Sequence, residues 1–101
     1  MTTDPLFRMT IQDVFTIRGR GTVVTGQIES GMVTVGDELS FRRDDGLFKR
    51  AVVTGLEAFR KQLEQAGTGD SVGILFADVN KPELQRGDVL TGSAAEFTWK
   101  P

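Results

Sequence analysis

The chain has 101 residues, 39% of them hydrophobic and 26% charged, with a net charge of −2; this suits one small folded domain and excludes a disordered chain or a membrane helix. It has no cysteine, histidine or tyrosine, which excludes disulfides, thiol catalysis and Cys- or His-bound metal, and removes the commonest general base. The slight negative charge argues against a grip on nucleic acid by net charge alone, and MTTDPLFRMT lacks the basic flank and apolar segment of a signal peptide.

Phe7, Met9 and Ile11 alternate with Arg8, Thr10 and Gln12, and the phase then shifts at the adjacent pair Val14-Phe15. Two β-pieces with a bulge or bend near Asp13 are predicted. Arg18-Gly19-Arg20-Gly21 is a turn, and Gly21–Ile28 returns as the second arm of a hairpin. Glu29-Ser30-Gly31 closes that arm. Val33 and Val35 precede a turn at Gly36-Asp37, and Leu39–Arg43 is a short strand.

Asp44-Asp45-Gly46 is a hairpin signal, because Asp-Gly tolerates positive φ. Leu47–Leu56 is its returning strand, with Gly55 marking a bulge or a close backbone approach. Arg60–Gln65 (RKQLEQ) is the one helix-like run; at six residues it is too short to stand alone and is expected as a loop with one turn. Ser71–Val79 is continuously apolar in its middle, as in a central strand. Lys81–Gly87 fits a single helical turn with Pro82 first, and Asp88–Thr91 and Glu96–Trp99 are two last short strands. Phe97 and Trp99 fall on one side of the final piece and are expected to lie on the body of the domain.

Seven to nine short strands punctuated by glycine turns predict an all-β fold, a closed antiparallel β-barrel, with a sandwich as the alternative. The stretch GRGTVVTGQIESGMVTVGDEL (19–39) organises it, with Gly19, Gly21, Gly26 and Gly36 as structural turn positions between β-branched runs. Val35-Gly36-Asp37-Glu38-Leu39 is echoed by Arg86-Gly87-Asp88-Val89-Leu90, so one turn is expected to be used twice. From the residues alone, Ile17, Val23 and Leu75 suit a barrel core. Glu57 and Arg60 suit a local ion pair.

Five motifs in register carry a resemblance: DVFTIRGRGTVVTG (13–26), VGDEL (35–39), TGLEAFRK (54–61), AGTGDSVGIL (66–75) and RGDVL (86–90). Over about residues 5–92 they resemble the second domain of translational GTPases, of the elongation factor Tu type. The resemblance implies a six-stranded barrel with extra short strands, making up residues 1–101 as a single domain. It implies a non-catalytic module of translation elongation, cytoplasmic, without cofactor, metal or membrane. Its partners would be the 3′ end of aminoacyl-tRNA or the ribosome, and a separate GTPase domain.

Carried over by position, the resemblance makes Ile17, Val23 and Leu75 the walls of an apolar pocket for a terminal adenine and Glu57 the carboxylate beside it. Arg60 would lie near the same nucleotide and Arg86 near the tRNA 5′ phosphate. Aliphatic walls, a carboxylate and guanidinium groups suit a base, its amine or ribose hydroxyls, and phosphates respectively. Gln27 stands where the family usually has a basic residue, Ser71 where asparagine is common, and Phe76-Ala77-Asp78 where Leu-Arg-Gly is usual. A stand-alone protein-interaction barrel that has lost tRNA binding is the competing reading. The sequence contains no G-x-x-x-x-G-K-[ST] loop. Calorimetric titration of the domain with GTP at micromolar protein is therefore expected to show no binding.

Overall fold

A computed structural model of the chain describes residues 6–42, 46, 48–79 and 83–92. Ten strands occupy them: β1 (Arg8–Thr10), β2 (Asp13–Ile17), β3 (Gly21–Ser30), β4 (Met32–Thr34), β5 (Glu38–Arg42), β6 (Phe48–Ala58), β7 (Lys61–Leu63), β8 (Gln65–Gly67), β9 (Ser71–Phe76) and β10 (Val89–Gly92). The predicted turn residues Asp44 and Asp45, the start of the turn at Lys81-Pro82, and the Glu96–Trp99 strand with Phe97 and Trp99 lie outside the described residues.

Six strands close a barrel in the order β1-β10-β5-β6-β9-β3, and β1 pairs back onto β3; every pairing is antiparallel. Closure removes the edges that a small open sheet would expose. β2 and β7 extend the sheet from β3 and β6, and β4 pairs with β8 in a separate two-stranded ribbon. Among the described residues no helix is long and apolar enough to cross a membrane.

The barrel interior is filled by every second residue of its strands. β3 buries Val24 and Ile28, β9 buries Val72, Ile74 and Phe76, and Met9, Phe41, Val53, Leu56 and Leu90 meet them. Thr22 is the buried polar residue of β3, and its hydroxyl donates to the Val79 carbonyl at 2.6 Å, tying the segment after β9 across the barrel end. Near that end Lys49 Nζ lies 2.9 and 3.0 Å from the two carboxylate oxygens of Glu83.

The predicted hairpin of β2 and β3 is present, with Ile17 opposite Gly21 and the Arg20 N–H donating to the Ile17 carbonyl at 2.9 Å. The predicted break falls at Ile11-Gln12, where the Gln12 N–H donates to Thr25 O at 2.7 Å and Ile11 N–H to Asp88 O at 2.8 Å. Gly55 does sit at a register shift, between Val53 and Gly55 of β6. The shift changes the phase of β6: Ala51 and Val53 point inward before it, and Leu56 points inward after it. Glu57 is thereby turned outward.

Gly26, expected at a turn, instead lies inside β3, where its missing side chain admits β1, and a second expectation fails. Arg60–Gln65 is neither loop nor helical turn but contains β7 and the start of β8. Leu63 pairs with Leu56, Gln62 with Glu57 and Lys61 with Ala58. The open edge of β6 supplies hydrogen-bond partners that a six-residue helical run lacks, and tertiary pairing overrides the weak helical propensity.

The Gly-Asp turn occurs three times rather than twice. Asp37, Asp70 and Asp88 each donate a backbone N–H to the carbonyl three residues earlier, at 2.9, 3.0 and 3.1 Å. Each carboxylate accepts from the N–H of that same earlier residue, at 2.8, 2.9 and 3.0 Å. The preceding glycines have φ of 102°, 92° and 91°, the positive value a type II turn needs at that position. Each turn delivers the chain into a barrel strand, β5, β9 or β10.

The seam between β1 and β3 is a close approach that only glycine permits. A Cβ on Gly26 would lie 2.5 Å from the Thr10 carbonyl oxygen and 3.1 Å from the Met9 side chain. Gly26→Ala is expected to destabilise the domain by ~1–3 kcal/mol, as overpacking does, read as a lower urea midpoint. On the outside of the same seam Glu29 accepts from Thr10 Oγ1 at 2.6 Å and from Arg8 Nε at 2.9 Å. The Thr10 hydrogen bond first, and Arg8 second, hold its carboxyl below the usual carboxylate range. The latch therefore contributes stability above the unfolded-state pKa and loses it as pH falls through the folded-state value. A carbon-detected NMR titration of Glu29 should show its midpoint rising in Thr10→Val.

Candidate functional site

Because β3 buries its even-numbered residues, Gly21, Val23 and Thr25 face out of the barrel. Their partners on β2 and β9 share that face. Two outward rows then cross the sheet. One runs Phe15–Val23–Leu75–Gly55, the other Asp13–Thr25–Gly73–Glu57–Gln62. Ile17, Val23 and Leu75 are thus half-buried outer-face residues and not part of the core, which corrects the barrel-core reading of the bare residues.

On this face lies a cleft of about 220 Å³. Val23 and Leu75 form its apolar floor, with the bare backbone of Gly55 and Gly73 beside Leu75. Val35 and Leu63 wall it, and Arg20, Thr54, Glu57 and Gln62 bring polar groups to it. The volume is below the roughly 300–1,000 Å³ of typical small-molecule pockets. It suits one flat ring system and not a whole cofactor.

Of the six residues singled out in the sequence, Val23, Leu75 and Glu57 come together in the cleft. Ile17 faces the same way at the hairpin end of β2, opposite Gly21, but does not line the cleft. Arg60 sits in the turn after Ala58, beside the cleft and outside its wall. Glu57 and Arg60 form no ion pair among the described residues. Arg86 is engaged elsewhere, with its guanidinium 2.9 Å from Asp13. Asp13 and Glu57 end and nearly end one row, three strand spacings or roughly 14 Å apart, so Arg86 and Glu57 can meet only an extended ligand in common. Of the turn glycines, Gly21 (φ 121°) lies hard against the Phe76 carbonyl, where a Cβ has no room.

Arg20, Val35, Thr54, Gln62 and Leu63 also line the cleft and were not anticipated. The signal for Gln62 and Leu63 was present in the alternation of Lys61-Gln62-Leu63, which pairs with Ala58-Glu57-Leu56 once β7 is read as a strand. Arg20 was legible only as part of a turn.

Charge is distributed unevenly. Glu29, Glu38, Glu83 and Asp13 face Arg8, Arg50, Lys49 and Arg86 in ion pairs, and Asp37, Asp70 and Asp88 close turns. Arg18 and Arg20 on the β2–β3 turn, and Arg60 and Lys61 on the β6–β7 turn, make no ion pair with the described residues. Of the described cations without an ion pair, Arg20 lines the cleft, Arg18 shares its turn, Arg60 and Lys61 lie next to the β6–β7 wall, and Arg42 lies apart over the Phe48 ring. Among the described residues no group of three or more Asp or Glu side chains stands where it could hold a metal ion.

The described residues thus form a closed six-stranded barrel with a small apolar cleft on its outer face. The family model described as elongation factor Tu domain 2 matches residues 21–91, more than half of the chain. The chain belongs to that family, the second domain of elongation factor Tu-like translational GTPases.

Proposed function

We propose that this domain receives the 3′ end of an RNA, aminoacyl-tRNA in the first instance, in the service of translation elongation in the cytoplasm. The observation that carries the reading is the cleft itself: Val23 and Leu75 offer aliphatic faces to one base, and Glu57 stands beside them to accept from an exocyclic amine or a ribose hydroxyl. Family membership supports it, since translation is the setting of these domains. The distribution of charge supports it too. The net charge of −2 argues against RNA for the chain as a whole, but seven carboxylates are held in ion pairs or turns, while Arg20 lines the cleft and Arg18, Arg60 and Lys61 make no ion pair with the described residues. Such guanidinium groups pair with phosphate oxygens.

Arg20 joins the proposed site as a cleft residue. Arg60 is a flanking cation for the phosphate, and Ile17 and Arg86 serve a longer ligand that runs along the outer face. One domain makes few phosphate contacts, so binding is weak. A Kd of order 10⁻⁴ M, ~5.5 kcal/mol, is expected.

A second reading has its own observation. Phe15 is 52% exposed on β2, which among the described residues pairs on one side only, with β3. That edge suits contact with a protein such as a separate GTPase domain. NMR titration with a short CCA-ended RNA separates the two. The RNA reading expects shifts at Val23, Leu75, Glu57 and Arg20 that are lost in Glu57→Ala and weakened in Arg20→Ala. If millimolar RNA moves none of them while a GTPase domain shifts Phe15 and its neighbours, the protein-contact reading replaces it.

A further inference from the structure

The turn between β6 and β7 is built against its own residues. Ala58 pairs with Lys61, which leaves a two-residue loop of Phe59 and Arg60. Their φ angles are 53° and 66°. Two successive positive φ values are the type I′ arrangement, which Asn-Gly fits and which side chains such as Phe and Arg oppose. Packing does not compensate, because Phe59 is 91% exposed, the most exposed of the large hydrophobic residues described. An aromatic kept at such a position without burial points to a contact made outside the chain.

What surrounds Phe59 indicates which contact. It stands on the rim of a second, more open depression of about 290 Å³, together with Gln12, Thr25, Ser71 and Gly73. That depression joins the cleft through Glu57 and Gly73, which belong to both. Arg60 and Lys61, next in sequence, are among the cations without an ion pair among the described residues. An exposed ring beside free cations, one step along the outer face from a base-sized cleft, matches a nucleotide strand: ring on base, cations on the phosphate between two bases.

We propose that Phe59 is a stacking platform for the base that precedes the terminal one, with Arg60 and Lys61 facing the phosphate that links the two nucleotides. This rests on the reading of the cleft as the seat of a terminal RNA base and extends it to a two-nucleotide site. The strained turn is then the means of projecting the ring away from the sheet. A turn of ideal sequence would hold the same backbone but present no ring.

The test compares adenosine with the trinucleotide CCA by NMR titration of the whole chain, in the wild type, in Phe59→Asn, which suits positive φ, and in Phe59→Leu, which keeps apolar bulk without an aromatic face. In the wild type, CCA is expected to bind about tenfold more tightly than adenosine, the scale of one base–aromatic stack in an exposed site. Both variants should lose that tenfold while their adenosine affinity is unchanged, and Phe59→Asn should melt at a higher temperature than the wild type. Variants that bind CCA as tightly as the wild type overturn the proposal and leave the cleft reading intact. Adenosine that fails to shift Val23 and Leu75 overturns the cleft reading, and this one with it. Phe59 signals that move with a GTPase domain and not with CCA overturn the proposal in favour of a protein contact.

Discussion

The meeting of β1 and β3 at Gly26 is the constraint on which the rest of the structure depends. A six-stranded sheet becomes a barrel only where its last strand returns to its first, and here the return brings the Thr10 carbonyl to where a side chain on Gly26 would be. β3 can make this approach and still continue for ten residues, pairing with β2 along one half and β1 along the other, with β9 on its far edge. Its alternation is therefore locked on both sides. The even residues Thr22, Val24 and Ile28 go to the interior, and the odd residues Val23 and Thr25 go to the face that carries the cleft. A slip of one residue would exchange core and site in a single step. Fold and site are two faces of the same register.

The repeated Gly-Asp turn solves a second problem with the same economy of parts. Three strands must start at defined places around a closed circumference, and each is started by a glycine with positive φ followed by an aspartate that closes the turn twice, by its N–H and by its carboxylate. The electrostatic consequence reaches the site. Acidic residues are numerous, yet those in turns and ion pairs are fixed away from the cleft. Net charge is a poor guide to a chain in which most of the described anions are structural.

The sequence made most of this architecture legible. Glycine spacing and β-branched runs marked the strands, Gly55 marked the bulge, and the Gly-Asp echo marked a turn that proved to recur once more. Two things were not legible. β7 was hidden because RKQLEQ has ordinary helical propensity and its strand character comes from β6, residues away in sequence and adjacent in space. The direction of Ile17, Val23 and Leu75 was hidden because apolar residues on a half-buried outer face have the composition of a core, and only the register distinguishes them. For Arg86 the sequence showed a cation and no hint that Asp13 engages it. Glu57 was identified by resemblance, but its outward direction depends on the phase change at Gly55, a physical cause visible in the pairing of β6 with β9.

A barrel this small has no room for a ligand inside, because six strands leave an interior that side chains fill. Binding must then occur on the outside, where a sheet is convex and offers no depth of its own. Depth is made here in two ways. Gly55 and Gly73 lower the floor by having no side chain; a Cβ on Gly73 would already lie 3.3 Å from the Val23 side chain, closing the space between the rows. β7 raises a wall, folding back from β6 to place Gln62 and Leu63 at the cleft margin. The strand missed in the sequence is thus part of what turns a convex surface into a site. The turn that β7 requires is the one where Phe59 and Arg60 hold positive φ. Backbone strain, cleft wall and exposed ring all follow from one short strand added to the edge of β6.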